Sequence, residues 1–282
     1  MKRRVAVVTD TVSSGFYFPT WHRYYARQVG AENLYLLLYG SLVSDFAPYE
    51  VGGIWRIHTY NNDSRSRMLS QICSLLLTEY DYVVRVDTDE FLIPDPRHYK
   101  GLSDYLSTLR RSYVTAAGYN VVAHPDAEPL DLTKDIFKTQ RRHCYPYDAL
   151  NKTCIIGVPT VWSPGFHFAS VYPEFDHLFL FHLKYADVDL QLSIGEAVAA
   201  RSDESRFQEY HRTGRVAIES HLRSIFTFPL ECGWTQFERP KYMARFLGSV
   251  RFVANWGGIY HGGPFGPERV LLEVPDEFVS AL

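Results

Sequence analysis

The chain of 282 residues is poor in cysteine, in long apolar runs and in excess charge of either sign. Its four cysteines, Cys73, Cys144, Cys154 and Cys232, show no C-x-x-C spacing and lie among apolar or aromatic neighbours, which fits buried thiols in a reducing compartment better than a disulfide framework. No stretch approaches the ~18 apolar residues of a membrane span. The "VAVV" that follows the basic "MKRR" is far shorter than the ~7 to 15 apolar residues of a signal peptide. The formal charge of -3 lacks the single-sign field of a non-specific nucleic-acid binder, so nucleic acid is set aside as a partner despite the local basic run Arg141, Arg142, His143. From these absences we expect a cytoplasmic protein with no transmembrane segment, with peripheral contact at a membrane surface left open.

What is present is an ordinary globular composition, 46% apolar and 22% charged, in a chain long enough for one large α/β unit with an appendage. Short β-branched runs alternate with segments of helical period over the first hundred residues, the pattern of βαβ units feeding a mostly parallel sheet. "RVAVVTD" (4–10), "NLYLLLYG" (33–40), "GGIWRIHTY" (52–60) and "DYVVRV" (81–86) read as strands one to four. "FPTWHRYYARQVG" reads as a helix opened by Pro19 and stopped at Gly30, and Met68, Ile72, Leu75 and Leu76 form one helical stripe before strand four. Pro94 and Pro96 in "FLIPDP" are expected to halt regular structure, and "GLSDYLSTLRRSY" to resume it as a helix. Residues 113–124, 154–162 and 177–185 read as further strands and 193–212 as a helix. From about residue 215 the pattern turns aromatic and rich in Gly and Pro. We therefore expect a domain over 1–214 and an extension over 215–282 on the same unit, serving the acceptor side or acting as a lid.

Strand four ends in Asp87, Thr88, Asp89 and Glu90. Ligands of open α/β sheets bind beyond the carboxyl ends of the strands, so these acids stand where chemistry is usually done. On an extended backbone Asp87 and Asp89 project to one side, and two like charges facing one place call for a cation between them. Mg²⁺ or Mn²⁺ held by such a pair completes its shell with the phosphates of a bound diphosphate, which points to a nucleotide substrate. The competing reading is that the two acids cap a turn.

In its context the block "YDYVVRVDTDEFLIPDP" resembles the DxD segment of GT-A glycosyltransferases, in particular the bacterial family 2-like group with a D-x-D-E-F hallmark. "PTWHRYYARQVGAENLYLLLYGS", "GYNVVAHPDAEPLDL", "LNKTCII", "WSPGFHFAS" and "LFLFHLKYAD" are similar to other blocks of that group, so the resemblance covers about residues 4–190. It implies a GT-A fold: a Rossmann-like, mostly parallel sheet flanked by helices, with a C-terminal extension. It further implies a hexosyltransferase-type enzyme that uses Mn²⁺ or Mg²⁺ to move a sugar from a nucleotide-sugar donor, UDP-linked by preference, to a glycan or lipid-linked acceptor in polysaccharide biosynthesis. Asp89 would bind the metal, and Asp87 the ribose or the metal through water. Where the family carries an Asn-Glu pair after strand one, this chain has "TDTVSSG", and the base-binding role passes to Asp10.

GT-A enzymes often recruit a third ligand from a later strand or loop, for which His182 and His167 are the candidates. Imidazole suits Mn²⁺. Strand alternation puts His182 and Lys184 on one face, so Lys184 can reach a phosphate while His182 meets the metal. Arg65 and Arg67 are candidates for the phosphates. Asp126, Glu128 and His167 are candidates for the general base that an inverting reaction requires. Trp162, Trp234 and Trp256 are candidates for stacking on a sugar or base. A haloacid-dehalogenase-like phosphatase is disfavoured by Phe91 in the motif's fifth position, and a nucleotidyltransferase by the lack of a Gly-rich basic loop in "TDTVSSGFYF". A non-catalytic sugar-binding protein on a GT-A frame stays open.

Overall fold

The computed structural model describes residues 3–282 apart from 59–60, 203–208, 210–211, 255–257, 264–265, 267 and 280. Four parallel strands form one half of the central sheet: β1 (Val5–Thr11), β2 (Leu34–Tyr39), β3 (Gly53–Ile57) and β4 (Tyr82–Arg85), in the order β4-β1-β2-β3. Each residue of β1 and β4 is buried, which explains why these strands read as continuous apolar runs rather than alternating ones. The chain leaves β1 toward β2 on one side and β4 lies on the other, so the order reverses at β1. That reversal is the crevice in which Rossmann-like α/β folds place their ligands.

The other half of the sheet is mixed. β6 (Tyr113–Val122) is a long buried strand whose first residues pair antiparallel with β8 (Thr153–Ile156) and whose last pair antiparallel with β7 (His143–Pro146). Along its other edge β6 runs parallel to β9 (Phe175–Tyr185). β8 joins this half to β4. The result is the Rossmann-like α/β architecture, with helices on both faces.

β5 (Glu90–Pro94) corrects one expectation. The prolines do not end regular structure after residue 90: "EFLIP" is a buried strand paired antiparallel with β9, from Glu90 opposite His182 to Pro94 opposite Leu178. Pro94 is tolerated because it is the strand's last residue and β5 has one strand neighbour. Tyrosines of α1 (Phe18–Val29) serve its other edge. The Tyr25 hydroxyl accepts from the Leu92 N–H at 3.0 Å and donates to the Glu90 carbonyl at 3.0 Å, and the Tyr24 hydroxyl donates to the Leu92 carbonyl at 2.6 Å. Tyr17 likewise donates to the Leu183 carbonyl of β9 at 2.7 Å. The aromatic stripe of "FYFPTWHRYY" thus fixes the strand pair that carries the acid motif.

One core lies between the sheet and the face of α1 and α3 (Leu102–Thr108); a second lies under α2 (Asn62–Leu76). The C-terminal residues join the first: Phe237 and Phe278 pack on Phe179 and Phe181, and the strand Leu271–Glu273 pairs with β7. Helix α5 (Val188–Ala199) follows β9, and α6 (Arg215–Ile225) covers Val122 and Tyr145. Of the helix expected over 193–212, the part at 203–208 and 210–211 lies outside the described residues, as does Trp256. Cys73, Cys144 and Cys154 are buried free thiols, whereas Cys232 is exposed, contrary to the expectation for all four.

Candidate active site at the rim of the sheet

A cavity of about 620 Å³ opens beyond the carboxyl ends of β1 and β4 and is lined by Asp10, Arg65, Asp87, Asp89, Lys152 and His182 among others. The acid motif does not reach it by strand alternation. β4 ends at Arg85, and residues 87–90 form a turn in which the Glu90 N–H donates to the Asp87 carbonyl at 3.1 Å. The Glu90 carboxylate closes the turn by accepting from the Asp87 N–H at 3.0 Å. Asp87, Thr88 and Asp89 therefore all line the cavity, because a turn rather than an extended segment presents them.

The two aspartates have different surroundings. Asp87 is locked by cations: its Oδ1 accepts from Arg65 and from Arg85, each at 2.5 Å, and its Oδ2 lies 3.3 Å from the Lys152 ammonium. Arg65 stands in the first turn of α2, whose N-cap is Asn61, and forks onto both oxygens of Asp10 at 2.6 and 2.9 Å. Arg85, inside β4, also reaches Asp10 at 3.0 Å. The guanidiniums of Arg85 and Arg65 lie 3.2 and 4.5 Å from the centre of the Phe166 ring, a cation–π platform beneath both. Lys152 donates to the fully buried Glu90 at 2.5 Å. Burial alone would raise the Asp87 pKa, but Arg85, then Arg65 and Lys152, outweigh it and hold the carboxyl well below the usual range. Burial likewise opposes the charge on Lys152, and Glu90 and Asp87 more than offset it.

Asp89 is the carboxylate that this cluster leaves over. Its Oδ2 lies 3.1 Å from Nε2 of His182, across the β5–β9 pair. The His182 Nδ1 donates to the Asn120 side-chain oxygen at 2.7 Å. Since Nδ1 carries that hydrogen, Nε2 presents a lone pair to a carboxylate oxygen unless a proton or a metal ion lies between them. Burial works against the Asp89 charge, but His182 offsets it and keeps the carboxyl below its ordinary value. The chain of contacts continues inward: Asn120 donates to the Tyr145 hydroxyl at 3.0 Å, and that hydroxyl lies 3.3 Å from Nε2 of His221 on α6.

Of the residues singled out in the sequence, Asp10, Arg65, Asp87, Asp89, His167, His182 and Lys184 line one cavity. Arg67, two positions from the buried Arg65, is exposed on α2. Asp126 and Glu128 are exposed on the loop after β6 and do not line the cavity. Trp162 is buried, its indole donating to the Thr153 carbonyl at 3.0 Å, and Trp234 packs under Arg97. Arg85, Asn120, Lys152, Tyr145 and His221 belong to the site without having stood out in the sequence. The available signal for the first three was a lone polar residue inside an otherwise apolar strand or its lead-in, "VVRV", "GYNVV" and "NKTCII".

His167 sits beside this network, its Nδ1 donating to the Ala149 carbonyl at 2.8 Å. Burial, reinforced by the Lys152 charge, pushes its pKa down to about 3. The unfolded chain takes up a proton near the ordinary histidine value while the folded chain does not, so stability is full above that value and is lost as pH falls toward 3. His143 and His221 are shifted the same way, chiefly by burial. Urea unfolding followed from about pH 6.5 to 4.5 should show stability falling, and His167→Gln should flatten the slope by about 1.4 kcal/mol per pH unit. An unchanged slope would show that His167 is not buried neutral.

No family model matches the sequence and no curated protein is similar to it. Among solved structures, the chain is similar to one described as mannose-1-phosphate geranyltransferase from Thermus thermophilus, at 10% identity and a TM-score of 0.30, covering 77% of this chain and 68% of that one. A likeness of that degree carries no argument about chemistry, so the site's own geometry bears the functional reading.

Proposed function

We propose that the protein is a metal-dependent glycosyltransferase that moves a sugar from a nucleotide-sugar donor, UDP-linked by preference, to a glycan or lipid-linked acceptor. The observation that carries this reading is the facing pair Asp89 Oδ2 and His182 Nε2, turned into a large cavity at the order reversal of an α/β sheet. One carboxylate and one imidazole whose far nitrogen is already engaged are a donor set suited to Mn²⁺, with Mg²⁺ the harder alternative. Asp89 and His182 would hold the ion, which would supply charge neutralisation for a departing diphosphate.

The rest of the site fits the same task. Asp87, neutralised by Arg65, Arg85 and Lys152, is a keystone that keeps three cations oriented at the cavity floor rather than a free ligand. Lys184 lines the cavity as a further positive group for phosphate. His167, neutral down to about pH 3, is too weak a base to remove an acceptor proton and suits hydrogen bonding to a sugar hydroxyl. Asp126 and Glu128, exposed and away from the cavity, do not meet the geometric requirement for a base in this conformation.

A panel of nucleotide sugars incubated with the protein and Mn²⁺ tests the reading. One donor should be hydrolysed slowly, and a chelator should stop it. Metal-dependent UDP binding without turnover of any donor would favour a non-catalytic binding protein. UDP binding that ignores Mn²⁺ and Mg²⁺ would remove the metal from the site and the proposal with it.

A further inference from the structure

The β5–β9 ladder has polar residues at both ends. At the end away from the cavity, Asp95 follows β5 and His177 stands near the start of β9, their backbones joined by the Asp95 N–H donating to the His177 carbonyl at 2.8 Å. His98 comes back over the same spot one turn later. Its Nε2 lies 3.9 Å from Asp95 Oδ2, and His177 Nδ1 lies 3.8 Å from that same oxygen. The three ligand atoms lie within 4.8 Å of one another.

We propose that Asp95, His98 and His177 form a second metal site, for a divalent transition ion of the Zn²⁺ class, separate from the rim and independent of how the rim is read. Separations of 3.8 and 3.9 Å are too long for hydrogen bonds. They approach the spacing of two donors that share an ion bound at ~2.0–2.2 Å from each. Two imidazoles with one carboxylate select Zn²⁺, Co²⁺ or Ni²⁺ over the oxygen-seeking Mg²⁺ and Ca²⁺. Asp95 supplies a fully buried carboxylate held in its charged form: burial opposes the charge, and Arg97 outweighs it. The histidine side chains are about half exposed, 54% and 50%, which leaves them room to close on an ion and leaves a coordination position open to water.

Arg97 is the obvious competitor, since its Nε reaches Oδ1 at 2.9 Å and its Nη2 reaches Oδ2 at 2.6 Å. Both come from the arginine's side of the carboxylate, and each oxygen has two lone pairs. Nε also lies 3.2 Å from Oδ2, the longer of its two contacts, so an ion on the histidine side would displace only that contact and leave Nη2 on Oδ2 and Nε on Oδ1. Arg97 is itself stacked 3.8 Å over Trp234 and bonded to Glu238, so it acts as the outer partner that orients the ligating carboxylate. Bound metal would therefore tie the loop after β5 to the start of β9 and, through Arg97, brace the helix Trp234–Glu238 of the C-terminal region.

Calorimetric titration of the whole protein with Zn²⁺ in excess Mg²⁺ tests the site. In His182→Ala, which removes the rim imidazole, one Zn²⁺ should still bind per chain, and adding His98→Ala or His177→Ala, both surface-exposed changes, should weaken that binding at least about tenfold. Zn²⁺ should also raise the melting temperature of His182→Ala but not once His98→Ala is added. Absence of stoichiometric binding to His182→Ala, or binding unchanged when His98→Ala and His177→Ala are each added to it, would overturn the assignment.

Discussion

Asp89→Asn is expected to lower metal-dependent donor turnover by about a hundredfold to a thousandfold, the loss typical when one preorganised charge-stabilising group is removed. The substitution keeps the side chain's shape and leaves the backbone contact intact, in which the Leu183 N–H donates to the Asp89 carbonyl at 2.8 Å. Its melting temperature should therefore stay close to that of the parent. What disappears is the anionic half of the pair with His182, and with it the affinity for Mn²⁺. The measurement is twofold: hydrolysis of whichever nucleotide sugar the parent turns over, and calorimetry of UDP with and without Mn²⁺. In the variant the metal-dependent part of UDP binding should vanish while a weaker metal-independent part remains on Arg65, Lys152 and Lys184. Parental turnover in Asp89→Asn would show that Asp89 does not hold the ion the proposed reaction needs.

The elements that could be read from the chain are those whose pattern is local. β1 to β4 and α2 follow from period two, period three to four and continuous burial, and the acids beyond β4 follow from their place at a strand end. β5 was hidden because two prolines signal a break, and it is the distant ladder with β9, with the Tyr24 and Tyr25 hydroxyls on the other edge, that makes "EFLIP" a strand. Those hydroxyls act across more than sixty residues of sequence, as the spacing of their partners records. The acid cluster was legible as negative charge, but its neutralising partners were not. Lys152 meets Glu90 across 62 positions and Arg65 meets Asp10 across 55, so nothing in a local window pairs them. Asn120 shows the same limit: it reads as a polar interruption of β6, and only the parallel register against β9 sets it opposite His182. Asp126 and Glu128, inside the block "GYNVVAHPDAEPLDL", are exposed and do not line the cavity, which nothing in their local sequence signals.

The turn also predicts that its two aspartates differ in what they hold together. Asp87→Ala should destabilise the fold by about 3 kcal/mol, because removing one partner from a buried ion cluster leaves charge without compensation, a loss of roughly 3–5 kcal/mol for fully buried pairs. The lower end applies because the Asp87 side chain is 23% exposed and because Asp10 and Glu90 still answer part of the positive charge. Arg85 suffers most. Its side chain is 1% exposed, and its Nε and Nη1 have no hydrogen-bond partner among the described residues, so its charge rests on Asp87, Asp10 and the Phe166 ring. At about 2–4 °C per kcal/mol for a chain of this size, the melting temperature should fall by about 6–12 °C. Asp87→Asn should behave similarly, since an amide fills the space but cannot neutralise Arg65, Arg85 and Lys152. Combining Asp87→Ala with Arg65→Met should cost less than the sum of the two single changes, because a cation that has lost its anion is removed along with it. Below its melting temperature, Asp87→Asn should still bind Mn²⁺ where Asp89→Asn does not. If instead Asp87→Ala melts with the parent, the cations are reoriented by solvent and the cluster is not what holds the rim in shape.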